Sequence, residues 1–211
     1  MSTAVDTMSL AHDERADLAD LLGTLTPAQW EAPSLCAGWR VRDVIAHMFS
    51  YEELGIGGLV RRFVKGGVNS DRVNAAGVCA YADRSTDALI ELVRHHLRPR
   101  GLTAAFGGRI ALTDGVIHHQ DIRRPLGLPR VIPADRLLTA LSFARTAPPI
   151  RASRRIRGLT LVATDLDWST GRGPVVEGPA ESLLMAMAGR RGTAQELTGP
   201  GQPVIARRLE P

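Results

Sequence analysis

The sequence has almost no lysine. Of its 26 basic residues only Lys65 is a lysine, and the other 25 are arginine. Aromatic residues make up 4% of the chain, a poor supply for the stacking platforms that hold single-stranded nucleic acid. Cysteine occurs twice, as Cys36 and Cys79, so no disulfide framework can be read and a reducing compartment is expected. No uncharged run approaches the roughly 18 apolar residues of a membrane span. The stretch from Met1 to Arg15 lacks a basic region followed by an apolar core. It does not read as a secretory signal, and a cytoplasmic location is expected.

What is present is a globular composition, with 44% hydrophobic and 23% charged residues, too apolar for a disordered chain. A length of 211 residues points to one or two domains. A chain of that size buries roughly 70% of its unfolded surface and needs no covalent staple. The formal charge of +4 raises nucleic acid as a partner. Yet the arginines are interleaved with 22 carboxylates. Their densest runs are Arg61-Arg62-x-x-Lys65 and Arg151-x-x-Arg154-Arg155-x-Arg157, and no helix-turn-helix pattern is visible. The scatter reads as a compositional preference for arginine rather than a binding face. Small-molecule partners are expected, with no nucleic acid and no membrane; the oligomeric state is left open.

Hydrophobic spacing predicts four helices in the first part of the chain. One spans about 9–25, with Leu10, Leu18, Leu21, Leu22 and Leu25 on its apolar face and Asp13, Glu14, Arg15 and Asp17 mostly on others. A loop over 32–39 follows. The second helix starts near Arg40, carries Asp43 in its first turn where the helix dipole favours an anion, and runs to about Leu54. A glycine-rich patch, Gly55 to Gly67, does not match a phosphate-binding pattern. The third and fourth helices cover about 85–97 and 110–124. Beyond them come a helix from Pro133 to Ala144, an arginine-rich linker after Pro148-Pro149, and strands over 158–164 and 174–178. A short helix over 180–188 closed by Gly189 and a last strand over 204–209 complete the reading. The fold class is therefore α+β, a helix bundle over 1–130 followed by a small α/β domain over 131–211.

Two segments carry candidate chemistry. Asp114 and His118 are four residues apart on the fourth helix, one turn apart on one face. Asp121 lies three residues after His118, placed to accept the second ring N–H of that imidazole. His47 sits among Ile45, Ala46 and Met48 on the second helix, which a bundle can bring against the fourth. One carboxylate and two imidazoles leave a coordination position open, the catalytic arrangement for zinc rather than the closed structural one. The ordinary alternatives are a core histidine with a satisfied hydrogen bond and a surface Asp–His pair. His119 points about 100° away from His118 and cannot share its ligand. His95 and His96 read as structural residues near a helix C-terminus. Cys36 reads as a small buried residue, a reactive thiol being the alternative.

The run Leu25-Thr-Pro-Ala-Gln-Trp30…Leu35-Cys-Ala-Gly-Trp39-Arg-Val-Arg-Asp43-Val-Ile-Ala-His47 resembles the start of the mycothiol-dependent maleylpyruvate isomerase family. This is an actinobacterial group within the DinB-like four-helix metal-binding superfamily. The run Asp114…His118-His-Gln-Asp121-Ile-Arg-Arg-Pro-Leu-Gly127 is similar to its second metal motif, and Leu161 to Gly201 to its smaller C-terminal domain. The resemblance implies a divalent metal, usually zinc, on His47, Asp114 and His118, with Asp121 orienting His118 from behind. Iron, nickel and manganese suit the same donors. The characterised isomerases have Glu where this chain has Asp114, one methylene shorter, so the metal sits closer to that helix or Asp114 binds through water.

The resemblance further implies mycothiol as thiol co-substrate. A thiol with a pKa of about 8.5 is mostly protonated at neutral pH, and a metal removes that proton. The thiolate would then attack an electrophile, as an isomerase that adds to and leaves a cis double bond or as an S-transferase. The alternative is a non-catalytic bundle that binds metal or a small molecule.

Overall fold

Apolar residues three and four apart put helices where the spacing predicts them, and packing decides the rest. The structure, a computed structural model, describes residues 6–67 and 70–210. The first five residues of the stretch read for a targeting signal lie outside the described residues, as does the side chain of Lys65. The chain forms two compact units, Met1–Pro129 and Arg130–Pro211. Among the described residues no helix is long and apolar enough to cross a membrane.

The first unit opens with α1 (Thr7–Thr24), started by Asp6, whose carboxylate accepts the N–H groups of Met8 and Ser9 and so satisfies two donors that have no partner within the helix. It continues through α2 (Pro27–Trp30), α3 (Val41–Phe49), α4 (Ile56–Gly66), α5 (Ser70–Ala80), α6 (Thr86–His95) and α7 (Arg109–Arg123). Helix α1 packs on α6 and α7, and α3 packs on the same two. The ring α1–α7–α3–α6 is the predicted four-helix bundle. Its core holds Leu18, Leu22, Val44, Ile45, Leu89, Val93 and Ile122.

One expectation changes here, and two features are new. Helix α3 stops at Phe49 rather than near Leu54, and the Ser50 hydroxyl donates to the His47 carbonyl, occupying an acceptor the helix end leaves open. The glycine-rich patch, for which the spacing predicted no element, is helical. It builds α4 and the start of the turn into α5, and α5 packs on both α4 and α3. Each interior glycine costs about 1 kcal/mol in a helix; tertiary packing outweighs it. Finally, Glu14 and Arg15 are buried rather than solvated.

Both of those charges are buried with partners. His119 Nδ1 donates to Glu14 Oε1 at 2.9 Å, and Arg123 Nε donates to His119 Nε2 at 2.9 Å. Arg15 pairs with Glu52 at 2.6 Å and donates to the His96 carbonyl at 2.6 Å. Glu52 also accepts the Thr103 hydroxyl and the Arg100 N–H. Gly115 permits the close approach of α1 to α7, since a Cβ there would stand 3.1 Å from Glu14 Cγ. A buried ion is tolerated only when its partners replace water.

The second unit comprises α8 (Ala134–Ala144), α9 (Ala152–Arg155), β1 (Thr160–Ala163), β2 (Ser169–Gly171), β3 (Val175–Gly178), α10 (Ala180–Met187) and α11 (Gln202–Leu209). The sheet order is β2-β1-β3, with β2 antiparallel and β3 parallel to β1. Leu161 pairs with Thr170 on one side and Val176 on the other. Helix α10 is buried almost all round, which makes it the core of this unit. The arginine-rich stretch is not a linker: it forms a 3-10 turn and α9, and Arg155 donates to the carbonyls of Ile150 and Met187. The last predicted strand is the helix α11. Ile205 and Leu209, four apart, are its buried face, and Pro203 stands in its first turn. A short apolar segment fits both periods; Pro203 was the helix signal.

Glu14→Ala strips a buried His119–Arg123 pair of its carboxylate. It is expected to destabilise the protein by about 3 kcal/mol, measured as a lower urea midpoint at constant m-value. A loss under about 1 kcal/mol would show that water replaces the carboxylate at this seam.

Candidate metal centre

The site begins with a turn. Gly38 takes φ 78°, in the left-handed region, where a Cβ is disfavoured. The Trp39 N–H donates to the Cys36 carbonyl, and the Ser34 N–H and hydroxyl both donate to the Trp39 carbonyl. The Leu35 N–H donates to the Asp121 carbonyl at 3.0 Å, which ties the turn to α7. Helix α3 starts directly after it. Asp43 accepts the backbone N–H of Arg40 and the Nε and Nη2 hydrogens of its guanidinium, as the first-turn position leads one to expect.

Helices α3 and α7 pack together and bring His47 against His118, with ring centroids 5.0 Å apart and planes at 78°. Donor atoms of His47, Asp114 and His118 all lie within 4.8 Å of one another. His118 Nε2 is 3.4 Å from Asp114 Oδ1. Two ligands on a tetrahedral ion with bonds of about 2.0–2.1 Å stand roughly 3.3 Å apart, so this pair has the span of a coordination edge. Both histidines are nearly buried while Asp114 is partly open to solvent.

The tautomer of His118 follows from its other side. Its Nδ1 is 2.8 Å from Asp121 Oδ2. An ionised carboxylate only accepts, so Nδ1 carries a proton, and Nε2, facing Asp114, is the nitrogen left for a ligand. This is the arrangement that orients a metal-binding imidazole. Cys36 Sγ donates to the same Asp121 oxygen at 3.1 Å and lies 3.6 Å from His118 Nδ1. Donor atoms of Cys36, His118 and Asp121 also lie within 4.8 Å of one another. There, however, both Sγ and Nδ1 spend hydrogens on one carboxylate, so the trio is a hydrogen-bonded support for His118. The donor set suits a divalent cation on the Nε2 side.

Without a cation the same carboxylates hold a proton. Burial pushes His118 down, but the Asp114 charge, with hydrogen bonds to Asp114, Asp121 and Cys36, raises it well above the usual histidine range. Burial likewise pushes Asp114 up, and the charge and hydrogen bond of His118 hold it below the ordinary value.

Of the other candidates, His119 turns into the α1 seam as its 100° offset requires. His96 is buried, with Nδ1 2.9 Å from the Leu92 carbonyl. Cys79 is exposed. Three neighbours escaped the sequence reading. Trp39 lies against His47 with centroids 5.0 Å apart, and Tyr51 meets the same ring edge-on at 6.0 Å. Tyr51 is four residues after His47, a spacing that pointed to it. The role of Cys36 depends on the fold of the turn, and no spacing showed it.

Bundle and site together define a class: a four-helix unit that presents two imidazoles and a carboxylate from facing helices, followed by a small α/β unit. Residues 11–105 match the family described as the mycothiol maleylpyruvate isomerase N-terminal domain, the family that the sequence motifs resemble. Two crystal structures share the fold over 93% of this chain and 92% of theirs, at 17% identity. They are mycothiol-dependent maleylpyruvate isomerase, TM-score 0.55, and a histidine-to-alanine mutant of it, TM-score 0.56. A search of curated proteins finds no match.

Asp121→Asn keeps the shape but loses the carboxylate that fixes His118. It is expected to weaken zinc binding about 10–100-fold with the melting temperature little changed, as measured by competition with a chelator. Binding of Zn2+ must also displace the proton from His118 Nε2. Because that proton is held above the usual histidine range, affinity falls as pH drops through the raised value. Calorimetry in buffers of different ionisation enthalpy is expected to show roughly one proton released per ion at neutral pH. Release of none would contradict a protonated His118.

Proposed function

We propose that this protein is a metal-assisted, thiol-dependent isomerase, with His47, Asp114 and His118 as the ligands of a divalent cation such as zinc and mycothiol as the thiol. The convergence of these three donors from α3 and α7 carries the reading. The family match over residues 11–105 and the fold of the whole chain support it. Asp114 has a carboxylate oxygen within coordination reach of His118 despite its short side chain, which favours direct binding over binding through water.

A cation held by His47, Asp114 and His118 would supply Lewis-acid chemistry that lowers the pKa of a thiol beside it. The protein's own contributions are positional. His47 and His118 present neutral nitrogens, and Asp114 neutralises one charge. Asp121 keeps the His118 proton on Nδ1, and Cys36 steadies Asp121 from the loop. Trp39 and Tyr51 pack on His47 and shield one side of the centre from water. In the isomerisation, sulfur adds to one carbon of a cis double bond, the remaining single bond rotates, and the same carbon–sulfur bond breaks to return the thiol and the trans product.

His47→Ala and His118→Ala are each expected to lose stoichiometric metal by elemental analysis of untagged protein. They should also abolish mycothiol-dependent isomerisation of maleylpyruvate. Full metal content in both variants would end the assignment. A wild-type protein that holds the metal but never turns over with thiol and maleylpyruvate would instead leave a binding bundle.

A further inference from the structure

We propose that Arg62 is an anion-binding residue of this centre, which holds the carboxylate of an electrophile that carries one. The inference rests on the reading above and deepens it by naming the residue that binds a substrate carboxylate. Helix α4 places Arg62 beside the site. Its guanidinium carbon lies 4.8 Å over the centre of the Tyr51 ring, and that ring lies 6.0 Å from His47. Two ring steps therefore join the cation to a proposed metal ligand.

The guanidinium is also fixed in place. Arg62 Nη1 donates to Ser50 Oγ at 2.9 Å, and Ser50 Oγ in turn donates to the His47 carbonyl at 3.1 Å. Tyr51 is anchored by its hydroxyl, which donates to Asn74 Oδ1 at 2.8 Å. Helix α5 leaves room for this stack with Gly77, where a Cβ would stand 2.5 Å from Ser50 Oγ and 3.1 Å from Arg62 Nη1. Any larger residue would displace the pair.

Among the described residues no carboxylate pairs with Arg62, whereas Arg15, Arg40, Arg42, Arg84 and Arg94 each have one. Arg62 is only partly exposed, and a guanidinium with one N–H on a hydroxyl and one face on an aromatic ring keeps other donors for a planar anion. A carboxylate matches that fork, and its charge is stabilised where solvent is partly excluded.

The test uses 4-chloro-3-nitrobenzoate and its carboxamide, matched in shape and differing in charge. Each is titrated without thiol into the metal-bearing protein and followed by ligand-observed NMR, with metal content measured in the same samples. Wild type is expected to bind the carboxylate about tenfold or more tightly than the amide. Arg62→Gln should erase that preference at unchanged metal content, and Arg62→Lys should restore part of it. His47→Ala should lose metal yet keep the preference. The proposal is overturned if wild type binds both probes alike, a comparison that needs no variant, or if Arg62→Gln keeps the preference. Retention of metal by His47→Ala would count against the metal centre alone.

Discussion

The hydrogen bond from His118 Nδ1 to Asp121 decides which nitrogen of that imidazole is left for a ligand. Asp121 is fully buried and accepts from both His118 and Cys36, so its charge is stabilised by donors rather than by water. With Nδ1 held by Asp121, Nε2 points toward Asp114 and the face where His47 arrives. Remove that constraint and three donors would still sit near each other, but with one of them free to turn.

The bundle exists in a form that serves this geometry. Helix α7 carries two adjacent histidines whose side chains diverge by one residue's rotation. His118 goes to the centre, and His119 goes to a buried seam with Glu14 and Arg123. The seam fixes how α7 lies on α1, and thereby which face of α7 meets α3. The ion pair of Arg15 with Glu52 does the same at the loop after α3. Buried charges contribute little net stability compared with apolar packing. Their value here is that a rotated α7 would leave Glu14 and His119 without each other.

Much of the fold was legible from residue spacing. The apolar positions of α1, α3, α6 and α7 recur at helical intervals, and β1 alternates as a strand with one buried face. What misled was local composition. Arginine clustered after Pro148-Pro149 argued for a linker over 151–157, where α9 forms, and glycine left 55–67 without a predicted element, where α4 forms because packing outweighs glycine's weak helix propensity. The segment over 204–209 satisfied two periods at once, and only its packing chose the helix. In the site, Asp114, His118 and Asp121 were legible because one helix fixes their spacing, and His47 was legible as a polar residue on an apolar face.

By itself the sequence determined which donors share a helix face, since the α-helical repeat is a local property. It also determined that the chain had enough apolar residues for a core without disulfides. Only the tertiary structure decided what meets across helices: His47 with His118, Cys36 with Asp121, Tyr51 with Arg62. Those pairs are separated by anything from 11 to 85 residues, and backbone sterics carry no information over such distances. Their proximity is a consequence of which faces exclude water together, which is settled when the whole bundle packs.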